Sequence, residues 1–105
     1  MTEDIAVAVQ WFMRAADQGY ARAHVSLAGC YRLGTGVPKS HARAAQLYQL
    51  AADQGNAAAQ SGLAVCFYYG EGVGQSESRA IEWWRKAAAQ GYTDAIDALR
   101  QLNRM

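Results

Sequence analysis

Residues 15–19 read Ala-Ala-Asp-Gln-Gly, residues 51–55 read Ala-Ala-Asp-Gln-Gly again, and residues 87–91 read Ala-Ala-Ala-Gln-Gly. The step between copies is 36 residues. A second block keeps the same step: Gly34-Thr35-Gly36-Val37 returns as Gly70-Glu71-Gly72-Val73. Leu27, Leu63 and Leu99 hold the register, as do Ala23, Ala59 and Ala95. Laying residues 11–46 on 47–82 without a gap matches 16 of 36 positions. A fixed period of this length is the mark of a repeat architecture, in which each copy is one supersecondary unit.

Each period carries two helical patterns. One runs from Ser40 to about Gln54. Its Ser40 hydroxyl is suited to accept from an orphan amide, and Ala44, Leu47, Tyr48, Ala51 and Ala52 fall on one stripe. Gly55 then supplies the left-handed residue that ends such a helix. The other runs from Ala57 to Tyr69, with Ala59, Leu63, Ala64, Cys66 and Phe67 inward. Gly70 stops it, and Gly72 permits a second positive-φ turn. The spacing predicts six helices over about 3–18, 21–33, 40–54, 57–69, 76–90 and 93–104. The short Asp-Gln-Gly-x link predicts an antiparallel hairpin, and the Gly-x-Gly-Val link carries the chain to the next one. The fold class is therefore all-α: a short right-handed α/α solenoid of stacked antiparallel hairpins in a single domain over 1–105, with two full repeats and two half units.

Composition agrees. Alanine supplies 22 of 105 residues, whereas Val, Ile and Thr together supply 12, a balance that favours helix over strand. Ten basic residues face nine acidic ones, and no basic block exceeds two residues, so nucleic acid is not an expected partner. No apolar run approaches the ~18 residues of a membrane span. The opening MTEDIAVAVQ lacks the basic start and apolar core of a signal peptide. The expected location is the cytoplasm, with a leader already removed as the alternative.

The pattern Ala23, Leu27, Ala28, Tyr31, Gly34, Gly36, Val37, then Ala44, Leu47, Ala51, Ala52, Gly55 resembles the Sel-1-like repeat family, a branch of the tetratricopeptide-like α/α repeats. The next copy reads Ala59, Leu63, Ala64, Phe67, Gly70, Gly72, Val73, then Ala80, Trp83, Ala87, Ala88, Gly91. Where the family usually has Gly after the Leu, this chain has Ala28 and Ala64. The resemblance implies a non-enzymatic scaffold or adaptor that binds a protein or peptide, of the kind found in protein quality control, bacterial signalling and host contact. It implies no cofactor. The alternatives are a folded stretch of a larger repeat protein, and an enzyme.

In tetratricopeptide-like stacks the first helix of each hairpin lines a concave groove. By that resemblance the groove residues are Arg22, Val25, Gly29 and Arg32, then Ala58, Ser61, Val65, Tyr68 and Tyr69, then Asp94, Asp97 and Gln101. They vary from copy to copy, as contacts specific to a partner would. Arg32, Tyr68 and Tyr69 are the expected anchors, because Arg and Tyr are enriched among interface hot spots.

Little else suggests chemistry. Cys30 and Cys66 share one repeat position, so ordinary helix packing spaces them roughly 10 Å apart, beyond the ~7 Å a disulfide allows. Two free, buried thiols are expected. His24 and His41 lie on different helices and are expected at the surface, with no metal site between them. Asp17 and Asp53 are repeat copies at helix ends, where structural or solvated roles are expected rather than acid–base work. Gly-x-Gly-Val follows a helix and so reads as a turn rather than a phosphate loop. Trp83 and Trp84 are expected in the core.

The two ends differ. Arg100, Gln101 and Asn103 stand where inner copies are small or apolar, which suits a terminal cap near Met105. Ile5, Val7 and Met13 stand where copies have His41 and Glu77, Arg43 and Arg79, Gln49 and Arg85. The first helix is thus apolar almost all round. Ile5, Val7, Val9 and Met13 are expected to form a self-association face, giving a homodimer through that helix, or to meet an upstream segment.

Overall fold

The computed structural model describes residues 2–103, with side chains from Ile5 onward. Six helices follow one another: α1 Thr2–Asp17, α2 Ala21–Leu33, α3 His41–Asp53, α4 Ala57–Tyr69, α5 Glu77–Ala89 and α6 Thr93–Gln101. No strand occurs among the described residues. Residue 104, the expected end of the last helix, lies outside them. The helices stack along one axis into a body of 44 × 23 × 22 Å.

Local chemistry sets the helix ends. The Ser40 and Ser76 hydroxyls accept from the Arg43 and Arg79 amides at 3.2 and 3.3 Å, and the Asn56 side chain accepts from the Ala59 amide at 2.9 Å. Each satisfies one orphan donor of the helix it starts. Gly34 and Gly70 end α2 and α4 in the left-handed conformation, their amides donating to the Cys30 and Cys66 carbonyls.

Neighbouring helices pack across both kinds of link, but unequally. α2 packs most extensively on α3, and α4 on α5, across the longer Gly-x-Gly-Val links; the short links join the less extensive α3–α4 contact. The reason lies in the turn. After Gly34 the chain folds back so far that the Ser40 amide donates to the Tyr31 carbonyl, and Ser76 does the same to Phe67, both at 2.8 Å. Each second helix therefore starts beside the end of the first.

The core is built largely of alanine, with Leu63, Leu99, Phe67, Tyr48 and Trp84 as its large members. Trp83 is half-buried under the Lys86 ammonium, 4.3 Å from its ring centroid. Trp11, its counterpart on α1, is 63% exposed. α1 differs from α3 and α5 throughout. Ala44, Tyr48 and Ala51 are buried, as are Ala80, Trp84 and Ala87, but their α1 counterparts Ala8, Phe12 and Ala15 are only half-buried. In the inner units Arg43 and Arg79 stack over Tyr31 and Phe67 of the preceding helix, 5.7 Å from each ring. Val7, at the same register, is exposed.

The second glycine of each turn meets the unit before it. A Cβ on Gly36 would come within 2.7 Å of Val9 Cγ2, and one on Gly72 would overlap the His41 carbonyl. Both have positive φ, 75° and 77°. This explains Val9, which is 4% exposed and belongs to the packing under the first turn rather than to the exposed face expected for it.

Gly72→Ala should cost about 2–4 kcal/mol, combining backbone strain with overpacking. Gly74→Ala should stay within about 0.5 kcal/mol, because nothing lies within 4 Å of an added Cβ there. Urea unfolding of the two variants checks the contrast.

Candidate binding groove

A cleft of about 230 Å³ lies across α2, α4 and α6, the three helices that follow the short links, called first-type helices below. α2 gives Val25 and Arg32, α4 gives Ala58, Ser61, Gly62 and Val65, and Tyr92 and Asp94 enter from the start of α6. Tyr48 of α3 also lines it. Gly62 makes room for that ring, since a Cβ would sit 2.6 Å from Tyr48 Cε1. The phenol is pushed above its ordinary pKa by burial, against the Arg32 guanidinium, which lies close enough to donate to it and favours the phenolate. Arg32 Nε is buried with no hydrogen-bond partner. Ser61 is 7% exposed.

A second hollow continues the same face past Val25 and Ala58 to Arg22, Ser26 and Asn56. The two hollows together hold Arg22, Val25, Arg32, Ala58, Ser61, Val65 and Asp94 of the expected groove positions. The others lie elsewhere. Tyr68 is half-buried, its ring edge-on to Tyr69 at 5.0 Å and tilted on Trp84 at 5.5 Å. Tyr69, Asp97 and Gln101 are exposed, and Gly29 is half-buried. Tyr48, Gly62 and Tyr92 were absent from the expected set. Tyr48 reads as core on its helical stripe, and only the Gly62 gap beneath it exposes its edge to the cleft.

His24 corrects another expectation. It is 6% exposed, with Nε2 3.0 Å from the Ala16 carbonyl. One period later Gln60 Nε2 donates to the Ala52 carbonyl at 3.5 Å. Both side chains return to the end of the preceding helix, where carbonyls lack partners. The signal was present in sequence: a polar residue directly after core Ala23 and again after core Ala59. His41, also expected at the surface, is half-buried. Asp17 and Asp53 are exposed, and Asp53 Oδ1 accepts from Gln49 Nε2 at 2.8 Å.

Both cysteines are free. Cys66 is buried, but Cys30 is only half-buried, contrary to expectation. α4 stands between α2 and α6 in the row of first-type helices, whereas α2 is flanked on one side alone among the described residues. Burial raises both thiols, and Cys66 is pushed up to about 11, with the Glu71 charge adding to burial. No three of His, Cys, Asp and Glu gather into a metal-holding group among the described residues. No helix of the described residues is long and apolar enough to cross a membrane.

The Sel1 repeat family model matches residues 1–20, 21–56 and 57–92. The chain belongs to that family, whose members are helical repeat scaffolds that generally mediate protein–protein interaction. Solved structures agree. The chain is similar to c5321, a protective antigen of uropathogenic Escherichia coli strains with this fold, at 32% identity and TM-score 0.84 over 87% of this chain and 20% of that one. It is similar to a Sel1 repeat protein from Oxalobacter formigenes, at 36% identity and TM-score 0.77 over 78% of this chain and 63% of that one. Helicobacter pylori cysteine rich protein B aligns at 27% identity and TM-score 0.81, over 87% of this chain and 68% of that one. The chain thus spans a fifth of the length of c5321. No curated protein matches.

At pH 8 an alkylating reagent should label Cys30 well before Cys66 in the native protein, because the thiolate is the reactive form; peptide mapping of a time course checks this. The native Cys66 thiol keeps its proton where an exposed thiol, near 9.0, has lost it. The folded state then binds more protons than the unfolded, so this contribution is intact below about pH 9 and is lost as pH rises toward 11. Cys66→Ala should flatten that alkaline decline in a pH series of urea melts.

Proposed function

We propose that this chain is a non-enzymatic interaction module whose cleft across α2, α4 and α6 holds an extended segment of a protein partner. One observation carries the reading. Positions that build the stack repeat every 36 residues, such as Leu27, Leu63 and Leu99, while the cleft positions do not: Val25 becomes Ser61, and Arg22 becomes Ala58 and then Asp94. A face that varies within a constant frame suits recognition. The free thiols support a reducing, cytoplasmic setting.

A second reading concerns α1. Ile5, Val7 and Trp11 are exposed and Met13 is half-buried on a helix that lacks the covering α3 and α5 receive. This supports self-association through α1, with Val9 removed from the contact set.

Peptides selected from a random display library on the wild-type protein test the groove. An Arg32→Ala variant should bind them at least tenfold more weakly by calorimetry, a loss of about 1.4 kcal/mol or more; unchanged affinity for every selected peptide rejects the groove. Separately, Val7→Arg restores the residue of the inner copies. It should convert a dimer seen by light scattering to monomer, and a wild type that is monomeric at high concentration rejects the second reading.

A further inference from the structure

His24 is held at one ring nitrogen and left free at the other. Its Nε2 lies 3.0 Å from the Ala16 carbonyl, which accepts, so in the neutral ring Nδ1 carries a lone pair. That Nδ1 is buried with no hydrogen-bond partner among the described residues, on a side chain only 6% exposed. A buried acceptor left unmet is costly. One unit on, the same register position is fully served: Gln60 donates to Ala52, and its Oε1 accepts from Gln90 Nε2 at 3.0 Å.

His24 lines a hollow of about 410 Å³ between α1 and α3, floored by α2. Met13 of α1, Leu27 and Tyr31 of α2, and Leu47 and Leu50 of α3 supply its apolar walls. His24, Leu27 and Tyr31 form a different stripe of α2 from Val25 and Arg32, so the hollow is separate from the groove. The two charged residues that reach it, Asp17 and Arg43, are opposite in sign and select neither an anion nor a cation. Its volume stands near the lower end of the ~300–1,000 Å³ of ligand sites, room for one ring system and not for a helix. The repeat shows which ring. Trp83 stands 36 residues after Leu47, half-buried, and the ammonium of Lys86, the counterpart of Leu50, lies 4.3 Å from its ring centroid. The second unit thus carries an indole of its own at the register where the first has the smaller Leu47, with Leu50 52% exposed at the rim.

We propose that this hollow receives a tryptophan side chain presented by a partner protein, its ring against Leu27, Tyr31, Leu47 and Leu50 and its indole N–H donating to His24 Nδ1. Phenylalanine has no donor for that nitrogen, whereas indole brings a donor with no acceptor of its own to satisfy. The contact is independent of the groove and stands or falls without it.

The test is an NMR titration of the whole chain, read at the leucine methyl and His24 ring signals. The probes are N-acetyltryptophanamide, its 1-methylindole analogue and free indole. N-acetyltryptophanamide should shift the Leu27, Leu47 and Leu50 methyls and the His24 ring, and the methylated analogue should bind at least fivefold more weakly. His24→Leu should erase that difference, and His24→Gln, which keeps an acceptor as Gln60 does, should retain it; thermal melts confirm that both variants fold. Leu47→Trp, which places the protein's own ring there, should abolish binding. A methylated analogue that binds equally well, or a difference that persists in His24→Leu, overturns the role of His24. Binding of free indole without N-acetyltryptophanamide overturns a partner side chain as the occupant, and methyls that move with none of the three probes overturn the site.

Discussion

The structure depends on how closely its helices approach. Eight alanines, at 28, 44, 51, 59, 64, 80, 87 and 95, are 1% exposed or less. A methyl group at each crossing lets neighbouring backbones come near, and no larger side chain would fit without pushing the pair apart. Each alanine buries little area by itself. Cohesion therefore comes from many small contacts passed from one helix to the next, as in other solenoids. The bulky residues are left for the places where the alanine seams open: Tyr48 and Trp84 fill the inner face, and Tyr69, Trp11 and Leu33 emerge at the surface. The same constraint that makes the stack thus supplies it with aromatic surface.

Backbone polar groups at the links are satisfied across units rather than within them. Gln90 Nε2 donates both to the Gly55 carbonyl at 2.9 Å and to Gln60 Oε1 at 3.0 Å, while Gln60 donates onward to Ala52. This chain of amides ties three successive helix ends together. In the first unit His24 takes the place of Gln60 and reaches Ala16, but its Nδ1 has no partner. Here the histidine completes one bond where the amide of Gln60 completes two, so the first link is held by fewer bonds than the second.

Much of this was legible because periodicity encodes stacking. Identical residues at identical phase mark the positions where the fold leaves no freedom, and Ala59, Leu63, Ala64, Cys66 and Phe67 are all buried as their spacing requires. What sequence hid were relations between copies. Val9 looked like one of several exposed apolar residues until the turn at Gly36 was seen to close over it. His24 reads as a surface residue because a polar side chain in a sequence gives no sign of the Ala16 carbonyl it reaches in the fold. Tyr48 looked like core alone because the missing side chain that opens its edge to the cleft belongs to Gly62, fourteen residues on. Each miss comes from a contact between units, which a one-dimensional pattern marks only by an absence.

The two faces at the ends of the described stack are not complementary, and this limits how copies can meet. α1 presents Ala8, Phe12 and Ala15, the counterparts of residues that inner units bury against a preceding first-type helix. A head-to-tail array would require α6 of another copy to act as that helix. At the positions where α2 and α4 offer Ala28 and Ala64, and Tyr31 and Phe67, α6 carries Arg100 and Asn103, both exposed. Seating α1 there would bury a guanidinium and an amide against methyl groups and an aromatic ring. Stacking α1 of one copy on α6 of another is therefore disfavoured, and the simplest form of the self-association proposed for α1 is an isologous contact, the same face meeting itself about a two-fold axis.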